Sequence, residues 1–357
     1  MNFNRPPATM TAIAEALGVS AATVSNALSG KGRVSVDLAA SIKAKADELG
    51  YVPSQAARAL RTGRSGVIGL VLPDISNPLF PQIAQAIEHA ASAAGYGVLI
   101  GDSRGQIVRQ AEAIGRLLER GVDGLIVVPR RGSRVVDIGA PVAIIDSPST
   151  PGNTVSSDHR EGGEQMGRYL ASLGHRRVLL VGQSTSSNVQ VDRLGGLKAG
   201  LGSNVQSETL WIETLETTLG EGQCLGLSAK VADGFTAFAA SSDLLALRVL
   251  TELQRSGIDV PRQANVTGFD DLVWSSVVTP QLTTMRQDLD LIAERAVAAL
   301  GVAIGERDGS RAGAGPIVAG ACAASNGDRV PMQLVVRQST AAPSFPSEEL
   351  QKREESE

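Results

Sequence analysis

The sequence is poor in aromatic residues, cysteine and histidine. Phe, Trp and Tyr make up 3% of its 357 residues, too few for the stacking platforms that hold single-stranded nucleic acid. Its two cysteines, Cys224 and Cys322, lie far apart. They lack the short spacing of a zinc ribbon or redox pair and read as reduced thiols. The three histidines, His89, His159 and His175, fall at no metal-ligand spacing. The G-x-x-x-x-G-K-S/T phosphate loop does not occur. No stretch approaches the ~18 uninterrupted apolar residues of a membrane span. The N-terminus, "MNFNRPPATMTAIAEALG", has no apolar core after a basic start, so it does not read as a secretory leader. A cytoplasmic protein without cofactor or metal is the expectation.

What is present is an uneven charge. The net charge is −4. Residues 1–64 carry eight basic and four acidic side chains, a formal +4, which leaves −8 on the rest. A basic head on an acidic body is what results when only one end meets a polyanion.

The head reads as three short helices. Thr9 can cap a helix carrying Met10, Ile13, Ala14 and Leu17 at helical spacing, and Gly18 can end it. Ser20 can cap a second, with Val24, Ala27 and Leu28 on its core face. Ser35 can cap a third, striped by Leu38, Ile42 and Leu49 and stopped by Gly50. Two helices joined by a short Gly-containing turn form a helix-turn-helix, whose second helix enters the DNA major groove. That explains an oddity in "GVSAATVSNALSG" (18–30): its outward face, Ala21, Ala22, Ser25 and Asn26, bears no charge. Against base edges a bulky or acidic side chain would obstruct. Asn26 can pair bidentately with adenine, and the alanines can meet a thymine methyl. Ser20, Thr23 and Ser25 suit phosphates. A plain helical bundle would use the same caps and stripes.

Beyond Gly50, "YVPSQAARALRTGRSG" (51–66) offers a short basic helix over 55–61, with Ser54 as cap and Arg58, Arg61 and Arg64 around Leu60. Two turns of helix need a surface to dock on. Leu60 between arginines suits a kinked minor groove, where apolar side chains wedge between base steps. A linker with Leu60 packed on a neighbouring domain is the alternative.

From Gly66 the pattern becomes α/β. Nearly continuous apolar runs at 66–73, 95–102, 124–129 and 141–147 alternate with helical segments, and the pattern restarts after Asp158 with runs at 175–182, 234–241 and 265–271. Two parallel α/β lobes are implied. Such lobes bind ligands at the carboxyl ends of their strands. Asp74, Asp146, Asp270 and Asp271 follow strands there, and Arg193 opens a helix after the loop "GQSTSSNVQVDR". Carboxylates and a guanidinium suit a polyhydroxylated ligand. Residues 305–328 read as a flexible Gly/Ala-rich insertion before a strand at 332–339, and the charged tail as disordered.

The order of "MTAIAEALGVSAATVSNALSG", "LGYVPSQAARALRTGRSGVIGLVLPDISNPLF", "GFDD" and "PQLTTMRQD" resembles the lactose/galactose repressor (LacI) family over about residues 9–340. The resemblance implies a helix-turn-helix head (1–53), a hinge helix and linker (54–64), a two-lobed, periplasmic-binding-protein-like body for effector binding and dimerisation (65–340) and a tail (341–357). It implies a repressor, dimeric or tetrameric, on a near-palindromic operator. Thr9, Ser20, Ala21, Ala22, Thr23, Ser25, Asn26, Ser54, Arg58, Leu60 and Arg61 would touch DNA, with Leu60 at the central minor-groove step. Asp74, Phe80, Asp146, Arg193, Ser242 and Asp270 would surround the effector, a sugar or derivative, or else a nucleobase. Ser242 stands where sugar-binding members often carry Asn. Two other classes compete: a two-lobed binding protein without regulatory role, and an enzyme using the α/β cleft.

Overall fold

A computed structural model describes residues 9–29, 34–51, 63–129, 135, 138–220, 222–311 and 328–343. The chain divides into two units, Met1–Ser65 and Gly66–Glu357.

The first unit holds α1 (Met10–Leu17), α2 (Ala21–Ser29) and α3 (Val36–Leu49). Its core is Ile13, Ala14, Val24, Ala27, Ile42 and Ala46, with Leu17, Leu28, Leu38, Leu49 and Tyr51 packed around them. The Thr9 hydroxyl accepts the Ala12 N–H at 3.2 Å, and Ser20 Oγ accepts that of Thr23 at 3.0 Å. Gly18 and Gly50 close α1 and α3 at φ 65° and 66°, the left-handed region a side chain disfavours. Ser35 stands at the N-cap of α3 but makes no side-chain cap bond. The first turn instead has Asp37 against the helix's positive end. The expected hinge helix, with Ser54, Arg58, Leu60 and Arg61, lies outside the described residues.

The second unit is built as two lobes. In the first, β1 (Val67–Leu72), β2 (Gly97–Asp102), β3 (Leu125–Val127) and β4 (Val142–Ile144) form a parallel sheet in the order β2-β1-β3-β4. It is flanked by α4 (Leu79–Ala93) and α5 (Ile107–Glu119). The chain then runs through β5 (Val155–Ser157) into the second lobe. There follow α6 (His159–Ser172), β6 (Arg177–Gly182), α7 (Asn188–Leu201), β7 (Gln206–Trp211), α8 (Ile212–Leu219), α9 (Leu227–Ala232), β8 (Ala237–Ala240), α10 (Asp243–Arg255), β9 (Asn265–Asp270) and β10 (Thr283–Arg286).

α11 (Leu289–Arg311) returns to the first lobe, where Ile292, Ala296 and Leu300 join Ile83, Ile87 and Ala143 in one apolar core. β11 (Asp328–Val330) pairs with β5, and β12 (Gln333–Val335) closes the second sheet, β12-β10-β9-β8-β6-β7. In that sheet only the β10–β12 pairing is antiparallel. Three crossovers therefore join the lobes, through residues 145–158, 287–288 and 328–332.

Two sequence expectations are corrected. α7 begins at Asn188, because the Ser187 side chain caps the Gln190 N–H. Arg193 thus lies in its second turn instead of opening it. Residues 305–311 continue α11 instead of starting a loop, and 312–327 lie outside the described residues. Between α7 and β8 the chain forms β7, α8 and α9.

Helices α6 and α7 touch backbone to backbone. A Cβ on Gly163 would sit 2.8 Å from Leu197 N and nearer still to Arg193 O, and one on Gly196 would sit 3.0 Å from Glu164 N and nearer to Arg160 O. Only glycine admits this approach. It fixes where α7 presents Arg193 relative to the start of α6.

Candidate functional site

In the first unit, the second helix of the pair presents an uncharged face. Ala21, Ala22 and Asn26 are exposed, while Thr23 and Ser25 are half-buried. Thr9 and Ser20 are exposed, yet both hydroxyls already serve as caps, and Ser20 Oγ also lies 2.8 Å from Thr23 Oγ1. Their chemistry is therefore shared between holding a helix start and whatever meets the face.

In the second unit, a cavity of about 380 Å³ opens between the lobes. Asp74, Phe80, Asp146, Arg193, Ser242 and Asp270 all line it, so the six residues expected around the effector come together. Strand ends bring most of them. Asp74 follows β1, Asp146 follows β4 and Asp270 ends β9.

The centre of the site is Arg193, only 3% exposed. Its Nη2 pairs with Asp270 Oδ1 at 2.8 Å, Nη1 donates to Ser241 O at 2.8 Å, and Nε donates to His159 Nδ1 at 3.3 Å. Its guanidinium carbon lies 4.9 Å from the Phe269 ring centre. Three of its five donors are thus held by protein on a fixed plane. Gln287 Nε2 also donates to Asp270 Oδ1 at 2.9 Å. Burial pushes the Asp270 carboxyl up, and Arg193 opposes that.

Asp270 and Asp271 both adopt positive φ, 108° and 52°, a strain of about 1–3 kcal/mol each that the surroundings must hold in place. The turn sends their carboxylates to different partners. Asp271 bonds Arg286 Nε and Arg337 Nη2, each at 2.6 Å, and does not line the cavity. Asp271, a candidate by its place after a strand, is therefore a structural anchor.

Asp146 Oδ2 accepts from Thr150 Oγ1, which in turn accepts from Asn188 Nδ2 at 2.8 Å. Burial raises its carboxyl from 3.8 to about 6. Asp74 Oδ1 accepts from the Ser76 N–H and hydroxyl at 2.9 and 2.7 Å. Phe80, in the first turn of α4, joins Leu79 and Ile83 as an apolar wall. Ser242 caps α10 through the Leu245 N–H at 3.4 Å.

Two buried groups at the site were not singled out from the sequence. His159 accepts from Arg193 at Nδ1, so its proton sits on Nε2, which donates to Asp146 O at 3.1 Å. Burial, then the Arg193 charge, hold it well below the ordinary histidine range, hence neutral. Its signal was available: it follows β5 directly at a helix start, the same strand-end position that marks the aspartates. Asp243 accepts from Leu272 N at 2.8 Å, Ser275 Oγ at 2.5 Å and Thr284 Oγ1 at 2.6 Å. Burial and the charge of Asp270 raise it to about 7. His175, two residues before β6, is buried with Nδ1 2.8 Å from Thr236 Oγ1.

Among the described residues no helix is long and apolar enough to cross a membrane. Residues 9–54 match the family described as bacterial regulatory proteins, lacI family, and residues 168–340 match the periplasmic binding protein-like domain. The transcriptional regulator MalR of Streptomyces coelicolor is 31% identical over 306 residues, covering 81% of this chain and 88% of that protein. The ribose operon repressor of Bacillus subtilis is 30% identical over 302 residues, covering 83% and 91%. A crystal structure of the lac repressor dimer bound to operator and the anti-inducer ONPF matches with a TM-score of 0.75 at 25% identity, over 94% of this chain and 100% of that one. The chain belongs to the lacI family of bacterial regulatory proteins.

Proposed function

We propose that the chain is a ligand-controlled transcriptional repressor. It acts as a homodimer on a near-palindromic operator, with a sugar or sugar derivative bound around Arg193. The observation that carries this reading is the cavity, in which both lobes contribute hydrogen-bonding groups. Asp74 and Asp146 come from the first lobe and Arg193 and Asp270 from the second, beside the apolar wall of Leu79, Phe80 and Ile83. A sugar hydroxyl both donates and accepts, so it can give to a carboxylate and take from the guanidinium. Its C–H face can lie on Phe80. The ribose operon repressor, by its name, fits a carbohydrate ligand.

A ligand that touches both lobes favours the arrangement in which they close on it. The binding energy difference between arrangements then becomes the control of operator affinity. In the head, Ala21, Ala22 and Asn26 meet base edges and Thr9, Ser20, Thr23 and Ser25 meet phosphates, with Arg58, Leu60 and Arg61 of the hinge in the minor groove. The divisions 1–53, 54–64, 65–340 and 341–357 follow from this use of the chain. The protein works where DNA is, in the cytoplasm, and the cavity binds without turning its ligand over.

The test is a thermal-shift screen of the full chain against sugars, sugar phosphates, polyols and purines. Each hit is then assayed for operator binding and for turnover. A sugar that shifts both melting and operator affinity, unchanged after incubation, supports the reading. Consumption of the sugar would indicate an enzyme, and a purine hit alone would replace the ligand class.

A further inference from the structure

Any change in the angle between the lobes bends the crossovers that join them. His159 sits between the first of these crossovers and Arg193. Its Nε2 donates to the carbonyl of Asp146, at the start of residues 145–158, and its Nδ1 accepts from Arg193 Nε. It is 3% exposed, so water cannot readily replace either bond. On the other side of Arg193 a similar chain runs to the second crossover. Nη2 holds Asp270, Asp270 Oδ1 accepts from Gln287, and Gln287 Oε1 accepts from Ser157 Oγ at 2.8 Å. The guanidinium is strung between two of the three crossovers.

We infer that His159 is a positioning residue that transmits the state of Arg193 to the first crossover, and so couples the cavity to lobe closure. This rests on the reading of the cavity as the ligand site. A ligand that draws on the guanidinium displaces a partner tied to a crossover. The imidazole is suited to this because its acceptor and its donor lie on one rigid ring. A movement at Nδ1 therefore arrives at Nε2 undamped by side-chain torsion, which a chain of flexible amides would absorb.

Two amide substitutions separate the two bonds. In His159→Asn the amide oxygen stands near the Nδ1 position. It keeps an acceptor for Arg193 but cannot reach Asp146. In His159→Gln the terminal amide nitrogen stands near the Nε2 position, which keeps the donor to Asp146 and loses the acceptor. Arg193→Lys is the perturbation, since it keeps the charge for Asp270 and removes the Nε–H. The reading is amide hydrogen exchange of the segment 145–158 in the full, ligand-free chain.

In the unsubstituted background, Arg193→Lys is expected to speed exchange of that segment by about 5-fold or more. His159→Asn alone speeds it to a similar degree, and His159→Gln alone does not. Neither histidine variant responds further to Arg193→Lys. A role in packing alone gives the opposite pattern: both variants loosen the segment, and Arg193→Lys adds its full effect in each. That result would overturn the inference while leaving ligand binding and operator control untouched. Should Arg193→Lys fail to fold, the ¹⁵N imidazole spectrum of the unsubstituted chain decides. Transmission requires a bare Nδ1 and a slowly exchanging Nε2–H at neutral pH, and the other tautomer or a charged ring contradicts it.

Discussion

Replacing glycine by alanine inside a helix ordinarily stabilises it, by about 0.8–1.0 kcal/mol. At Gly163 and Gly196 the structure reverses the sign. The atoms a new Cβ would meet are backbone atoms of the facing helix, Leu197 N at 2.8 Å from the first and Glu164 N at 3.0 Å from the second, with carbonyl oxygens nearer still. Backbone cannot rotate aside, so α6 and α7 must separate. Overpacking of this kind costs about 1–3 kcal/mol or more, and separation also loosens Met166, Leu170, Leu194 and Leu197 in the core beneath. Set against the propensity gain, each substitution should lower stability by up to about 2 kcal/mol, a fall in Tm of up to about 4–8 °C. Gly115 in α5 is the control, because a Cβ there meets nothing within 4 Å. Gly115→Ala should raise Tm by a few degrees. The assay is thermal unfolding of the full chain followed by circular dichroism, with ligand affinity measured beside it, since Arg193 moves with α7. If Gly163→Ala and Gly196→Ala stabilise as Gly115→Ala does, the close approach and the placement of Arg193 that depends on it are wrong.

Asn26→Ala should weaken specific operator binding by about 1–3 kcal/mol in a fluorescence anisotropy titration, with Tm unchanged because Asn26 is exposed. Leu60→Ala should likewise leave Tm in place while operator affinity falls, and equal losses in both would place Leu60 in a core instead of a DNA step. Ligand affinity should rise with pH through about 6. The Asp146 carboxyl, lifted there by burial, accepts a ligand hydroxyl only when ionised, so protonation below that pH weakens binding by up to about tenfold per unit. Calorimetry from pH 5 to 8 checks this, and Asp146→Asn should flatten the profile.

The head was legible because its signals are local. Caps at Thr9 and Ser20 and the glycines at 18 and 50 lie within a few residues of what they govern. Most strands of both lobes were legible as apolar runs, although β2 has no fully buried residue, and the strand-end rule gathered Asp74, Asp146 and Asp270 at one cavity. What escaped was non-local or polar. β7, "QSETLW", is an edge strand with no fully buried residue, so its apolar signal is weak. The start of α7 was misplaced because Ser187, one of several serines in "STSSN", does the capping. His159 looked isolated since its partners, Asp146 and Arg193, are 13 and 34 residues away. The repeated glycines of α6 and α7 acquire meaning only when the two helices face each other.

The central claim is that occupancy of the cavity changes the hold on DNA. The direct measurement is operator affinity of the full chain, at fixed salt, with and without a saturating sugar from the thermal-shift screen, using a near-palindromic fragment selected from random duplexes. The account predicts a change of about 5–150-fold, lost in Arg193→Lys while ligand-free operator binding persists. An operator affinity that stays the same when the cavity is demonstrably filled would contradict it.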